Sequence, residues 1–238
     1  MRTIDFLDKR VTGICNELKK LSVKQKFETS DWLIKPGNFL RPEDADADPA
    51  PFEPFDSRTM HWYGPDKHYW FRADVAEMDG KPLWMHVCTQ IDEWDDAKNP
   101  QFLLFVDGKV TQGVDMNHRE VLITKSAQAG KTYQIDLQSY TGILHPEFQL
   151  IGEMVEINPQ VNGLYYDLQV PLWALERMDK DDKIRLDIET CLNDTINLLD
   201  LRKPHSEAFY ESVDKARAYI QKAMYEDMAG FDDVVATC

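Results

Sequence analysis

Carboxylate side chains are concentrated in two stretches of the sequence where a metal ion could be bound. Residues 43–49, with the sequence EDADADP, place carboxylates at alternate positions, as a calcium-binding EF-hand loop does. Counted from Asp44, the sixth position is Pro49 where that loop needs glycine, and the twelfth is Phe55 rather than glutamate. We therefore interpret this stretch as a solvated linker, and residues 92–96, with the sequence DEWDD, as an exposed loop between two strands.

A more informative group of polar residues lies between Gly113 and Val121. Asp115, Asn117 and His118 are predicted to occupy a turn after a hairpin, where polar side chains can bond the backbone or contact a neighbouring domain. These three residues are candidates for substrate binding or for a domain interface. They do not predict a metal site, because His118 has no second histidine at helical or hairpin spacing and Asp115 alone does not complete a ligand set.

Aromatic residues are concentrated between His61 and Phe71, in the sequence HWYGPDKHYWF. Trp62 and Trp70 are candidates for stacking against a sugar ring. Packing in the core and at a sheet edge is favoured, because aromatic residues at the start of a strand usually bury a large apolar area. The sequence contains no recognisable Ser/His/Asp or Cys/His order, Gly-rich phosphate loop or HExxH motif, so the residues alone predict no catalytic centre.

The composition of the 238-residue chain limits the classes of protein to which it can belong. A formal net charge of -15 argues against nucleic acid or an anionic membrane surface as a partner. No window approaches the roughly 18 apolar residues of a membrane span, and the N-terminus carries charges where a signal peptide is apolar, so cytoplasmic residence is expected. The four cysteines are far apart in sequence and are interpreted as reduced thiols.

The first 66 residues are predicted to hold a helix followed by a connector. Apolar residues between residues 3 and 21 recur at three- and four-residue steps, which predicts an amphipathic helix within an N-terminal segment, residues 1–30. Residues 31–66 are rich in proline and acidic residues and predict an extended connector. Its phenylalanines are expected to attach it to a surface.

Residues 67–170 are predicted to form an antiparallel β-sandwich of the jelly-roll, galactose-binding-like type. Short aromatic and β-branched stretches separated by turn signals predict the strands. Within them, the sequence VDGKV at residues 106–110 predicts a two-residue hairpin turn. The predicted strands are 68–76, 83–90, 101–107, 109–114, 120–124, 132–138, 148–157 and 164–170.

The last third of the sequence, residues 171–230, is predicted to be a helical segment containing an antiparallel helical hairpin. Pro171 is placed in the first turn of a helix, and apolar residues keep helical register from Ile184 to Leu199. Ser206 is the predicted N-cap of the next helix. Residues 231–238 begin with an acidic turn and continue as VVATC, which predicts a buried parallel strand.

Several motifs resemble the N-terminal region of the large α-mannosidases of glycoside hydrolase family 38. That region shows a Trp-Gly turn, a Trp-Phe strand, a hairpin ending in Val-Asp-Gly-Lys and a Gly-x-Asp-x-x-His turn. The hairpin with its trailing Asp and His is the most specific part, and Tyr63 stands where the family often has tryptophan. The corresponding residues here are Tyr63 and Gly64, Trp70 and Phe71, Phe105 to Lys109, and Gly113, Asp115 and His118.

The resemblance implies that the chain is an accessory region truncated before a catalytic domain. In such enzymes the helical segment leads into the first strand of an α/β domain, which ends in a His-x-His-x-Asp motif that binds a divalent metal of the zinc or cobalt type. Residues 231–238 would begin that strand, so no catalytic or metal-binding residue is assigned here and no cofactor is expected in this chain. The implied partners are the downstream catalytic domain and a mannose-containing oligosaccharide.

Three functions are therefore considered. The first is the N-terminal accessory region of an α-mannosidase. The second is a stand-alone carbohydrate-binding module, which would need an exposed aromatic groove. The third is an interaction domain without catalytic activity, which is favoured if the reading frame ends at Cys238. Assembly into an oligomer is left open.

Overall fold

The structure is a computed structural model that describes residues 6–76, 81–91, 100–116, 118–128, 130–143 and 147–236, with side chains in the last range described to Val234. The chain divides into two compact units. A β unit extends from Gln25 to Glu156, and a helical unit combines the residues up to Lys24 with those from Ile157 onward. Asn117, residues 92–96 and Cys238, which the sequence analysis singled out, lie outside the described residues.

The strands of the β unit follow turn signals and alternating hydrophobicity. Their side chains alternate between buried and more exposed positions, as in Leu83–Cys88, because successive residues of a strand point to opposite faces of the sheet. The strands are β1 Val23–Glu28, β2 Asp31–Pro36, β3 Glu53–Asp56, β4 Trp62–Tyr63, β5 His68–Ala76, β6 Leu83–Cys88, β7 Gln101–Val106, β8 Lys109–Val114, β9 Glu120–Thr124, β10 Thr132–Tyr140, β11 Glu147–Phe148 and β12 Ile151–Ile157.

Within the described residues, the strands form two main sheets and a small ribbon. The six-stranded sheet has the order β3, β2, β5, β10, β7, β8, the four-stranded sheet has the order β1, β12, β6, β9, and β11 pairs with β4. One hydrophobic core contains residues of both main sheets, among them Phe71, Leu104 and Ile135 from the first and Met85 and Val121 from the second. The chain passes back and forth between the two sheets after β5, with the hairpin β7–β8 kept in the six-stranded sheet, so the predicted antiparallel β-sandwich of jelly-roll type is confirmed.

The hairpin between β7 and β8 turns at Asp107 and Gly108. Both residues have positive φ, 48° and 76°, which matches the two-residue turn whose twist suits paired strands. The carboxylate of Asp107 also accepts a hydrogen bond from the backbone N–H of Gln134, at 3.0 Å, and lies 3.2 Å from Nζ of Lys131. The predicted hairpin is confirmed, and its aspartate fastens the tip to β10.

The predicted connector, residues 31–66, is not simply extended. It contributes β2, β3 and β4 to the sheets and forms a short helix, α2, Pro42–Ala47, within a stretch that we call the covering segment, residues 37–52. Phe39, Phe52 and Ala45 of this segment pack against Trp70 and Phe105 on the outer face of the six-stranded sheet. The expectation that its phenylalanines attach it to a surface is confirmed.

The sequence analysis interpreted the acidic run within the covering segment as a solvated linker. This interpretation is wrong. Asp46 pairs with Arg72, with Oδ1 and Nη1 2.7 Å apart. Asp48 lies with Oδ1 3.2 Å from Nζ of Lys35, and that lysine is only 1% exposed. Nζ of Lys35 also donates to the backbone carbonyl oxygens of Ala45 and Asp48, which lie at the C-terminal end of α2. A buried lysine and a partly buried arginine therefore bind these carboxylates.

The helical unit consists of long helices with capped ends. The predicted N-cap Ser206 is confirmed, since its hydroxyl accepts a hydrogen bond from the backbone N–H of Phe209 at 3.2 Å. The helices are α1 Leu7–Ser22, α3 Pro159–Arg177, α4 Lys183–Asn197, α5 Glu207–Ile220, a π-helical turn Gln221–Glu226 and α6 Phe231–Ala236. The predicted hairpin of α4 and α5 is thus part of a larger bundle that shares one core with α1 and α3.

Residues 164–170, predicted as the last strand of the sandwich, lie inside α3. The helix begins where the side chain of Asn158 accepts hydrogen bonds from the backbone N–H groups of Gln160 and Val161, with Pro159 in the first turn. Pro171, predicted to start a helix, lies in its interior. The boundary of the β unit therefore moves from residue 170 to Glu156.

The strand predicted for residues 231–238 is also wrong, because Phe231–Ala236 forms the helix α6. Gly230 has a φ of 82° and provides the turn before the helix. Asp232 and Asp233 lie in the first turn, where negative charge is favoured by the helix dipole. Phe231 is 1% exposed and packs edge-on against Tyr225, with ring centroids 5.1 Å apart.

Candidate functional site

The turn after β8 contains two of the candidate residues, Asp115 and His118. Oδ1 of Asp115 accepts hydrogen bonds from the backbone N–H of His118, at 2.8 Å, and from its ring Nδ1, at 3.0 Å. The structure therefore brings these two side chains together, as a carboxylate that closes a tight turn. The third candidate of this turn, Asn117, lies outside the described residues.

A small cavity lies beside this turn. It has a volume of about 10 Å³ and is lined by residues of β6, β7 and β8 and of the turn, among them Cys88, Phe102, Asp115 and Arg119. That volume holds about one water molecule. The cavity is therefore too small for a sugar ring, and the turn does not form the wall of a substrate pocket among the described residues.

The two candidate tryptophans lie inside the β unit. Trp62 is 1% exposed and packs against Phe71 and Phe148, with ring centroids 5.2 and 4.9 Å away. Trp70 is fully buried between Phe105 and the covering segment. Neither indole ring is accessible to a ligand, and the packing interpretation of these two residues is confirmed. Trp70 lies on β5, which β10 and β7 separate from β8 and the Asp115 turn in the order of the sheet.

A row of charged residues that the sequence analysis missed crosses the four-stranded sheet. Glu120, His86 and Glu153 lie opposite one another in register on β9, β6 and β12, on the face away from the core. Nδ1 of His86 lies 3.0 Å from Oε1 of Glu120, and Lys26 of β1 lies 2.7 Å from Oε2 of Glu153. The alternating charges form a ladder. His86 and Glu120 are 34 positions apart and Lys26 and Glu153 are 127 apart, so only sheet register, which the sequence does not state, brings them together.

The charge ladder favours a protonated histidine. Burial lowers the pKa of His86, but hydrogen bonds to Cys88 and Glu120 outweigh burial and raise the pKa to about 9. The imidazole is therefore protonated at neutral pH and donates to Glu120. The other two described cysteines, Cys15 and Cys191, are free and buried, and burial raises their pKa values to about 12 and about 11. These two thiols are not poised for nucleophilic chemistry.

An exposed aromatic residue lies on the β4–β11 ribbon. Trp62 and Phe148 face one another in register on the buried side, so Tyr63 and Glu147, the next pair in register, point to the solvent side. Tyr63 is 55% exposed, and Nδ1 of His61 lies 3.6 Å from Oε1 of Glu147. The alternation of side chains in the sequence HWY would have predicted this division, but the sequence analysis considered only the tryptophans.

The described residues contain neither a cluster of possible metal ligands nor a helix that could cross a membrane. Residues 6–76, 81–91, 100–116, 118–128, 130–143 and 147–236 contain no group of three or more His, Cys, Asp or Glu side chains that could hold an ion. The divalent ion implied by the resemblance belongs to the downstream catalytic domain. No helix among the described residues has the length and apolar character needed to cross a membrane.

No protein-family model and no curated protein matches the sequence. Two similar solved structures contain the CBM51-2 and INT domains of ZmpB from Clostridium perfringens, the first of them in complex with GlcNAc. They are 12% and 10% identical, with TM-scores of 0.24 and 0.22, and the similarity covers 87% and 85% of this chain. The chain matches 44% of the length of each. Likeness at this level carries no argument about function.

Proposed function

We propose that this chain is the N-terminal accessory region of a family 38 α-mannosidase, a glycoside hydrolase that removes terminal α-mannosides from oligosaccharides. In this proposal the chain supports a catalytic domain elsewhere in the same protein and contributes no catalytic residue. The divalent metal, of the zinc or cobalt type, and the nucleophile belong to that domain.

One observation supports the assignment of an accessory role. The polar residues of the motifs that resemble the α-mannosidase region form hydrogen bonds within their own hairpin and turn. Asp107 binds the backbone of β10, and Asp115 binds both the backbone and the ring of His118. Such contacts hold a hairpin and a turn in place, which suits a scaffold. A glycosidase site would instead need two carboxyl groups at a defined separation across an open cleft.

The coding sequence beyond codon 238 provides the first test. We expect it to continue in frame and to encode an α/β domain whose first strand ends in a His-x-His-x-Asp motif. A stop codon directly after Cys238 would overturn the proposal and favour an interaction domain.

Activity provides the second test. The full-length product is expected to hydrolyse an aryl α-mannoside when zinc or cobalt is supplied, and this chain alone is expected to be inactive. The Asp115→Asn variant of the full-length protein should retain a normal KM, because Asp115 lies in a turn and not at a catalytic centre. Turnover by the isolated chain that disappears when residues of this chain are changed would contradict the assignment of a purely supporting role.

A further inference from the structure

The solvent side of the β4–β11 ribbon combines an aromatic ring with a carboxylate and an imidazole. Tyr63 and Glu147 are directly opposite in register, and His61 lies two positions before Tyr63 on the same side of its chain segment. The side chains of His61 and Glu147 are 38% and 52% exposed, so all three groups can be reached by a ligand. We call this exposed group of three residues, His61, Tyr63 and Glu147, the ribbon face.

We propose that the ribbon face binds a neutral hexopyranose. The sugar ring stacks on Tyr63, and two adjacent hydroxyl groups form hydrogen bonds with Glu147 and His61. A carboxylate accepts two hydrogen bonds at once, which matches a pair of neighbouring hydroxyls, and an imidazole can donate or accept. The apolar C–H side of a pyranose is complementary to the electron-rich face of an aromatic ring. The choice of mannose among hexoses rests on the proposed function.

The backbone of the ribbon face is held by hydrogen bonds from neighbouring side chains, which reduces the entropic cost of ordering the site on binding. The hydroxyl of Tyr69 donates to the carbonyl oxygen of Tyr63 at 2.8 Å. The side chain of Gln90 donates to the carbonyl oxygen of Glu147, at 3.2 Å, and accepts from the backbone N–H of Gln149, at 2.7 Å. Trp62, between Tyr63 and His61 in sequence, anchors the ribbon in the core.

The charge of the ribbon face selects the kind of sugar. Glu147 and the net charge of -15 repel an anionic sugar such as a sialic acid or a sugar phosphate. The face is an open surface, so the ligand stays partly solvated and the expected Kd is on the order of 1 mM. A weak site of this kind suits a region that guides an oligosaccharide rather than one that captures a free monosaccharide.

Titration of the ¹⁵N-labelled chain with methyl α-mannopyranoside tests the proposal. We expect saturable shifts of the amide signals of residues 61–63 and 147, reached below about 50 mM ligand. Tyr63→Ala should weaken binding at least about tenfold, Tyr63→Phe should retain it, and Glu147→Gln should weaken it by about fivefold. Tyr219→Ala, which changes another exposed tyrosine in the helical unit, should leave it unchanged.

The outcomes separate this proposal from the proposed function. The ribbon face would be overturned as a sugar site if mannoside, glucoside and galactoside all gave no saturable shift. Equal binding by the Tyr63→Ala variant, with an unchanged amide spectrum elsewhere, would also overturn it. Binding of a galactoside but not of a mannoside would keep the site and reject mannose as its ligand. The mannosidase proposal itself depends on the downstream coding sequence and on the activity of the full-length product, neither of which the titration measures.

Discussion

Nε of Arg72 lies 2.6 Å from Oδ1 of Asp136, a carboxylate with no solvent exposure on the outer face of the six-stranded sheet. The same guanidinium reaches Asp46 of the covering segment through Nη1 and packs over the ring of Phe52 at 4.6 Å. Burial raises the pKa of Asp136 even though Gln134 and Arg72 donate hydrogen bonds to it. Arg72 therefore neutralises a buried charge and joins the covering segment to the sheet.

Replacing Arg72 by methionine is expected to destabilise the β unit by about 3 kcal/mol, because Asp136 then remains buried without its cationic partner. Urea unfolding monitored by tryptophan fluorescence measures the loss. Arg58→Met is the matched control, since Arg58 forms an exposed pair with Asp56 and its loss should have little effect. An Arg72→Met variant as stable as the original chain would contradict the role given to this pair.

Removing both charges should cost less than removing the arginine alone. In the Arg72→Met, Asp136→Leu double variant no uncompensated charge is left in the sheet, so part of the lost stability is expected to return. The free energies of unfolding of the two single variants and the double variant complete the cycle. A double variant less stable than Arg72→Met would show that contacts other than the charge pair dominate at this position.

The protonated state of His86 predicts how stability depends on pH. Its folded-state pKa of about 9 lies above the ordinary value of 6.5, so its contribution is fully present below pH 6.5 and is lost as pH rises through 9. The difference in unfolding free energy between the original chain and His86→Gln should therefore shrink between pH 6.5 and pH 9.5. Titration of the imidazole by NMR gives the pKa directly. A value at or below 6.5 would reject the charge ladder as a source of stability.

The close approach of Trp32 to Gly152 predicts a steric effect. A Cβ atom at Gly152 would lie 2.7 Å from Cζ2 of Trp32 and 3.3 Å from Cε of Met85. The indole cannot move freely, because its N–H donates to the carbonyl oxygen of Thr29 at 2.7 Å. Gly152→Ala is therefore expected to destabilise the β unit by about 1 to 3 kcal/mol.

Gly113→Ala provides the control for this substitution. No atom lies within 4 Å of a Cβ atom built at Gly113, which is an exposed residue of β8. The free energy of unfolding should be unchanged or slightly increased in this variant. Equal losses in the two alanine variants would point to the general effect of glycine replacement in a strand and away from a clash with Trp32.

Local chemistry explains which elements the sequence predicted correctly. The hairpin at Asp107 and Gly108 depends on two residues that accept positive φ, and the cap at Ser206 depends on one hydroxyl. The strand predicted for residues 164–170 failed because a run of aromatic and aliphatic residues fits either structure. The Asn158 cap and Pro159 were the local signals that indicated a helix.

Contacts between distant residues explain what the sequence could not supply. Arg72 and Asp136 are 64 positions apart, and His86 and Glu120 are 34 apart. Their pairing depends on which strands are neighbours and on the register between them, and neither is visible in a single sequence. For the same reason, the acidic run at residues 43–49 was interpreted as solvated although Arg72 and Lys35 bind two of its carboxylates.

The last helix provides a prediction about residues 231–236, for which the sequence predicted a strand. Phe231 is almost completely buried against Tyr225 in the core of the helical unit, and the backbone N–H of Val234 donates to the carbonyl oxygen of Gly230 at 3.3 Å. Phe231→Ala is therefore expected to lower the stability of the helical unit by about 3 kcal/mol, because it leaves a cavity that the helices fill only in part.

Asp232→Asn is the matched control for Phe231→Ala, since it changes an exposed side chain of the first turn of α6 and loses only a favourable interaction with the helix dipole. Cα chemical shifts should be helical from residue 231 to residue 236, and the amide of Val234 should be protected from hydrogen exchange. Extended shifts in this stretch, with Phe231→Ala as stable as the original chain, would restore the strand prediction. In that case the end of the helical unit would have to be packed without Phe231.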